Sequence, residues 1–320
     1  MTTVLDSARA LADAVGAATI TVLEMPRATT IPAGIRPTPF DPDAYDYSDL
    51  PPRTVAFDGT SPEQAIAQVR GVIEYAAINS PRSLQKRIGP SEIGNPCDHC
   101  LAAKLAGWAE TEDGIAWLPF VGTAVHAELE RIVNAYETSR NAMHTTGRRW
   151  LCEQRVTVGQ IGGVDITGST DLFDVAAGMP VDHKIVGPTK IKKVKSHGPG
   201  PTYRVQAHAY GRGWVAAGYE VRHVAIWFLP RNDMRGFDGG LLWHEPYQEQ
   251  IAVDALARAN RLHANLTALA ALGTAARDAW ISSLPRDPDC FDCARYPDRP
   301  AGLAAPGHRP QSDTLAGLIP

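Results

Sequence analysis

Apolar residues along the chain fall into two alternating periods. Ile66, Val69, Val72 and Ile73 recur at helical spacing behind Ser61-Pro62-Glu63-Gln64, which supplies an N-cap, a proline at the first helical position and an early acid. Pro119 to Tyr136 predicts another helix, with Phe120, Val125, Leu129, Ile132 and Val133 on its apolar side. From Leu151 β-branched residues take over. Stretches 151–158, 163–175 and 180–186 predict three strands joined by Gly-Gly and Ala-Gly turns. Residues 202–217 return to helix, 221–229 to strand and 246–272 to a long helix. Helix, three-strand meander, helix, strand, helix predicts a mixed α/β fold around one central sheet.

The beginning of the chain follows neither period. Residues 2–15 predict a short alanine-rich helix, and Pro26 to Pro52 then holds seven prolines, too many for regular structure. Residues 1–58 therefore read as an extension, 59–300 as the folded domain and 301–320 as a flexible tail.

Composition changes the picture in two places. The chain has 320 residues and a formal net charge of −4, enough to bury a full core. Residues 1–84 carry 6 Lys/Arg against 10 Asp/Glu, so the whole negative excess lies in the extension and its border. Between Asp182 and Glu220 there is no acid, while Lys184, Lys190, Lys192, Lys193, Lys195, Arg204 and Arg212 supply seven positive charges. A local basic stretch on a mildly acidic chain suits an anionic polymer held at one place; a solvated lysine loop fits the charge equally well. No apolar run reaches membrane-spanning length, and the first residues lack the basic and apolar regions of a secretory signal. With five cysteines, an odd number, the expected compartment is the reducing cytoplasm.

Candidate chemistry begins at Gly168-Ser-Thr-Asp171 and Pro-Val-Asp182-His-Lys184. Residues i and i+2 of a strand share a face, so Asp182 and Lys184 point together, and a turn near Ala176-Ala177 returns Asp171 beside Asp182. Charges set into the apolar run Val181…Ile185-Val186 need a reason. Two carboxylates and an ammonium suit a hard cation working on a phosphate. His126 follows Gly122 by one helical turn, so the glycine is expected to leave space beside it. Gln206 and Tyr210 share a face of their helix, with Arg204 nearby.

In the order Gly122-x3-His126, Gly168-x2-Asp171, Asp182-x-Lys184, Gln206-x3-Tyr210, the chain resembles the RecB-type branch of the PD-(D/E)XK nucleases over about Ser91 to Arg295. The resemblance implies a restriction-endonuclease-like core with a central mixed sheet flanked by helices. It implies that His126, Asp171 and Asp182 ligate Mg²⁺ or Mn²⁺, that Lys184 is the catalytic lysine, and that Gln206 and Tyr210 support the site and the DNA backbone. The second acid is Asp182 where that branch often has Glu. The implied activity is metal-dependent hydrolysis of DNA phosphodiesters, as an exonuclease on free or single-stranded ends in recombination, repair or phage replication. No G-x4-G-K-[S/T] motor motif accompanies it, so a helicase or recombination partner is implied. Lys190, Lys192, Lys193 and Lys195, bounded by Pro188 and Gly-Pro-Gly-Pro, read as a mobile loop that grips DNA together with Arg204.

Two C-x2-C pairs, Cys97/Cys100 and Cys290/Cys293, are separated by 189 residues and flank this whole stretch. Four thiolates complete a zinc or an iron–sulfur site, and here they would tie the domain's start to its C-terminal segment. Cysteines before and after the nuclease motifs resemble the branch in which they hold a four-iron cluster. That branch has one early and three late cysteines, against two and two here, which keeps zinc open. Cys152 reads as a buried apolar residue. Two other readings remain: a non-enzymatic, zinc-stabilised DNA-binding module, or a nuclease-fold subunit active only inside a larger complex.

Overall fold

The computed structural model describes residues 19–21, 61–78, 88–111, 117–143 and 147–298. The expectations for residues 2–15, the proline-rich stretch and the C-terminal tail lie outside them. Residues 24–84 form one compact unit, and residues 1–23 with 85–320 form another.

In the smaller unit, α1 (Pro62–Ile78) starts where the sequence predicts. Ser61 Oγ accepts the Gln64 N–H at 3.3 Å and Gln64 Oε1 accepts the Ser61 N–H at 2.9 Å, a reciprocal cap on two otherwise unpaired donors.

In the larger unit, α2 (Asp98–Leu105) and α3 (Trp117–Met143) precede a meander of β2 (Trp150–Ile161), β3 (Val164–Asp174) and β4 (Met179–Val186). Gly162 and Gly163, both at positive φ (58° and 81°), make the β2–β3 turn. Then come α4 (Pro188–His197), α5 (Pro201–Ala216), β5 (His223–Pro230), β6 (Leu241–Pro246), α6 (Glu249–Ala270) and α7 (Thr274–Ser283). Strands β2 to β6 form a mixed sheet in the order β6-β5-β4-β3-β2, and the three-residue β1 (Thr19–Thr21) adds to the β6 edge. Only β4 and β5 run parallel, because α4 and α5 carry the chain across between them.

Several elements differ from the sequence expectation, which has no helix at α2 or α7 and no strand at β6. The lysine-rich stretch is the helix α4, not a loop: Pro188 sits in its first turn, and Gly198, at φ 75°, ends it with an N–H to Val194 O hydrogen bond of 2.8 Å. Pro246 closes β6 instead of opening the long helix. The expected apolar side of α3 is only partly covered, with Ile132 half exposed.

Two apolar clusters hold the unit together. One packs Leu101, Leu105, Leu256, Leu262 and Ile281 of α2, α6 and α7 against Val158 and Ile161 of β2. The other packs Val194 of α4 and Ala207 of α5 over Val224, Ile226 and Phe228 of β5. Asp182 and Lys184 lie beside Ile226 and Phe228 in the ladder, so their side of β4 is the side that α4 and α5 cover.

Candidate functional site

The site forms where two strands part. β3 and β4 pair only from Leu172↔Val181 to Asp174↔Met179. Beyond that, β3 continues with β2, and β4 continues in parallel with β5 as far as Val186↔Pro230. Asp171 and Asp182 stand at this fork. An N–H that loses a ladder partner needs another acceptor, and the His183 N–H donates to Asp171 Oδ2 at 2.6 Å.

On one side of β4, Lys184 Nζ lies 2.7 Å from Asp182 Oδ2, and Gln206 of α5 donates Nε2–H to Asp182 Oδ1 at 2.9 Å. Asp182 is buried, and burial pushes its carboxyl up from the usual range; Lys184 opposes the shift and the Asp171 carboxylate adds to it. Burial alone would lower the Lys184 ammonium, but the Asp182 carboxylate offsets this and holds it above its ordinary value. Tyr210, one turn beyond Gln206, is hydrogen-bonded to it, and burial raises the Tyr210 hydroxyl. Gly168 is explained by the same neighbour: a Cβ there would lie 2.9 Å from the Pro90 ring and 3.2 Å from Tyr210 Cε1. Gly122 has no such role, since a Cβ on it meets nothing within 4 Å.

The other side is built from histidines. His126 Nδ1 lies 3.2 Å from Asp171 Oδ1, and the His126 and His183 rings are 6.0 Å apart. Among the described residues, His126, Asp171 and His183 each bring one ligand atom within 4.8 Å of the others. Asp182 is outside that group, turned to Lys184 and Gln206. Burial lowers the His183 pKa to about 4, so the ring is neutral at pH 7 and keeps a lone pair. Its Nε2 is buried without a hydrogen-bond partner. Burial would raise Asp171, but its hydrogen bonds to His126 and to the His183 N–H bring it below the usual carboxylate range. Two imidazole nitrogens and a carboxylate fit a divalent cation. Glu153 borders the group: it is the one described non-glycine residue at positive φ, 50°, and burial with the nearby Asp171 and Glu130 raises its carboxyl.

The four paired cysteines converge where the α2 turn meets the C-terminal segment. Cys293 Sγ lies 3.6 Å from Cys97 Sγ and 3.5 Å from Cys100 Sγ, and Cys290 Sγ lies 3.7 Å from Cys100 Sγ. His99 Nδ1 is 3.8 Å from Cys100 Sγ, and His99 joins Cys97, Cys100 and Cys293 as a potential metal-holding group. Asn95 fixes the two loops to each other: its Oδ1 accepts the Cys97 N–H at 2.9 Å, and its Nδ2 donates to Asp292 at 3.0 Å. Sulfurs about 2.3 Å from one tetrahedral ion stand roughly 3.8 Å apart, close to these spacings. Thiolates around a four-iron cube radiate from its corners and stand much farther apart. The donor set therefore fits a metal, and its spacing fits a single ion. Cys152 is buried in β2, away from this group.

Of the basic residues, Lys192, Lys193 and Lys195 are exposed on α4. Lys190 and Lys184 both lie over the Tyr203 ring, their Nζ atoms 4.9 Å and 5.2 Å from its centroid. Arg204 is engaged elsewhere: its Nε donates to the buried Glu245 carboxylate at 2.6 Å, and His208 Nε2 meets the same oxygen at 2.5 Å. The Arg204 side chain remains 40% exposed beside this internal network.

Sequence reasoning missed His183 and Glu153. His183 had a signal, as the central residue of Asp-His-Lys, but alternation turns it to the other face. Glu153 had none, because its direction depends on one unusual φ angle.

No family model matches the chain, and no curated protein matches it. Among solved structures, the crystal structure of LHK-Exo in complex with dAMP is similar at a TM-score of 0.34 and 13% identity, covering 57% of this chain and 89% of that one. So slight a likeness carries no argument about the site. Among the described residues no helix is long and apolar enough to cross a membrane.

Proposed function

We propose that the chain is a metal-dependent deoxyribonuclease of the PD-(D/E)XK type, acting as an exonuclease on DNA ends. The observation that carries the reading is the convergence at one strand fork of Asp171, Asp182 and Lys184 with His126 and Gln206. A charged pair buried this deeply is a poor source of stability and invites a chemical explanation. A divalent cation held beside Asp171 would activate water and offset charge on the phosphate. In this reading Lys184 stabilises negative charge on the scissile phosphate or orients the attacking water, with Asp182 aligning it. Gln206 fixes the Asp182 carboxylate, and Tyr210 in turn supports Gln206. We assign the cysteine group to a structural zinc, on the short thiol spacings.

The test uses end-labelled linear and closed circular DNA with Mg²⁺, Mn²⁺ or EDTA. Nucleotide release from linear DNA alone, abolished by EDTA, is expected. Asp182→Ala and Lys184→Ala should lose cleavage while DNA binding changes little, since binding rests mainly on contacts to phosphates. Cleavage at the wild-type rate by Lys184→Ala protein would overturn the assignment.

A further inference from the structure

The middle residue of Asp182-His183-Lys184 is a histidine where an apolar residue would serve an interior strand. Its side chain is 5% exposed, and it leaves β4 on the side opposite Asp182 and Lys184. There it stands edge-on to Trp227, with ring centroids 5.7 Å apart, and faces His126 across the fork. Two features exceed what packing needs. Nε2 is buried with no hydrogen-bond partner, and such orphans are uncommon because each carries a desolvation penalty. In addition, a ring nitrogen lies within 4.8 Å of a ligand atom from both His126 and Asp171, and the three come from three different elements.

We infer that the His183 side chain is itself a ligand of the divalent cation, giving a site of two imidazoles and one carboxylate that prefers first-row transition ions to Mg²⁺. The inference deepens the nuclease reading and rests on it only for the site's role, not for the ligand set. Asp182 is held back from the group by Lys184 and Gln206, each within 3 Å of one of its oxygens. His183 thereby takes the place in the ligand set that the resemblance gives to the second acid. The metal preference follows from donor chemistry. Mg²⁺ favours oxygen ligands and retains its water, whereas imidazole nitrogen binds first-row transition ions well. Mn²⁺ is the weakest binder of that series, so a preference for Mn²⁺ over Mg²⁺ is a stringent form of the claim.

The experiment is Mn²⁺ titration of the full chain, followed by electron paramagnetic resonance and by competition with Mg²⁺. In wild-type protein, spin-echo modulation from two coordinated imidazole nitrogens is expected, a readout that needs no variant to fold. His183→Ala and His183→Gln should each lose one nitrogen coupling. Even outer partners of metal ligands are worth about 10–100-fold in affinity, so Mn²⁺ affinity should fall by at least about tenfold while Mg²⁺ binding changes little. One nitrogen coupling or none in wild-type protein, or unchanged Mn²⁺ affinity in both folded variants, would overturn the inference and make His183 a packing residue. Cleavage measured in parallel separates the two readings. Two-nitrogen Mn²⁺ binding without DNA cleavage keeps the ligand set and rejects the nuclease; cleavage with a one-nitrogen site does the reverse.

Discussion

Strand alternation puts Asp182 and Lys184 on one side of β4, and their ion pair at 2.7 Å follows from it. Gly168 was legible as part of a motif, though not for its reason. The structure supplies that reason as the close approach of Pro90 and Tyr210, and it sets a test. Gly168→Ala places a methyl 2.9 Å from a proline ring that cannot swing aside, so the backbone at one of the two must shift, and Tyr210 at 3.2 Å must give as well. Overpacking of this kind costs about 1–3 kcal/mol, to be read as a lower urea midpoint with an unchanged slope. A midpoint equal to wild type would show that the neighbours relax freely. Gly122→Ala, with open space around it, is the matched control and should leave the midpoint in place.

At the scale of elements, α4 corrects the loop expected from its prolines and glycines. The same residues punctuate a helix: proline fits the first turn, where its missing N–H is not needed, and Gly198 terminates the last. Helical geometry then sorts the lysines. Ile191 and Val194 turn inward, Lys190 lies over Tyr203, and Lys192, Lys193 and Lys195 remain exposed. Replacing those three by glutamine should weaken DNA binding and flatten its dependence on salt. The slope should fall by about 0.7 to 0.9 for each phosphate no longer neutralised. Fluorescence anisotropy across a salt series checks this, and an unchanged slope would leave α4 as a solvated helix. Lys190 is kept in that variant because its replacement would disturb Tyr203 and, through it, the surroundings of Lys184.

The whole molecule depends on a closure that no single element provides. Cys290 and Cys293 follow α7 in a segment with only a short 3-10 turn, and the hydrogen bonds of Asn95 and the approach of the thiols bind it to the Cys97 turn. An ion joining ends 189 residues apart in sequence removes unfolded-state entropy and makes metal binding part of folding. Purified protein should be colourless and hold one equivalent of zinc by elemental analysis. A strong chelator should lower the melting temperature by several degrees, and Cys293→Ala should do the same, whereas Cys152→Ser should keep its zinc. Brown protein absorbing broadly near 400 nm would instead favour the four-iron cluster; metal-free protein with an unchanged melting temperature would reject a metal staple altogether.

Although β1, α2, α4, β6 and α7 escape it, the sequence marks the other strands and helices, the shared side of Asp182 and Lys184 on β4, and two thiol pairs flanking the charged motifs. These are local properties, set by repeat distances of two and 3.6 residues and by caps and turns within a few positions of one another. Where β3 leaves β4 emerges only on folding, because hydrogen-bond register is a relation between strands. That fork gives Asp171 the His183 N–H as a partner and brings His126 and His183 to one carboxylate. Packing also gave Arg204 a partner that its sequence position does not reveal, the buried Glu245. Charge can be counted along a chain, but its partners are fixed only when distant elements pack.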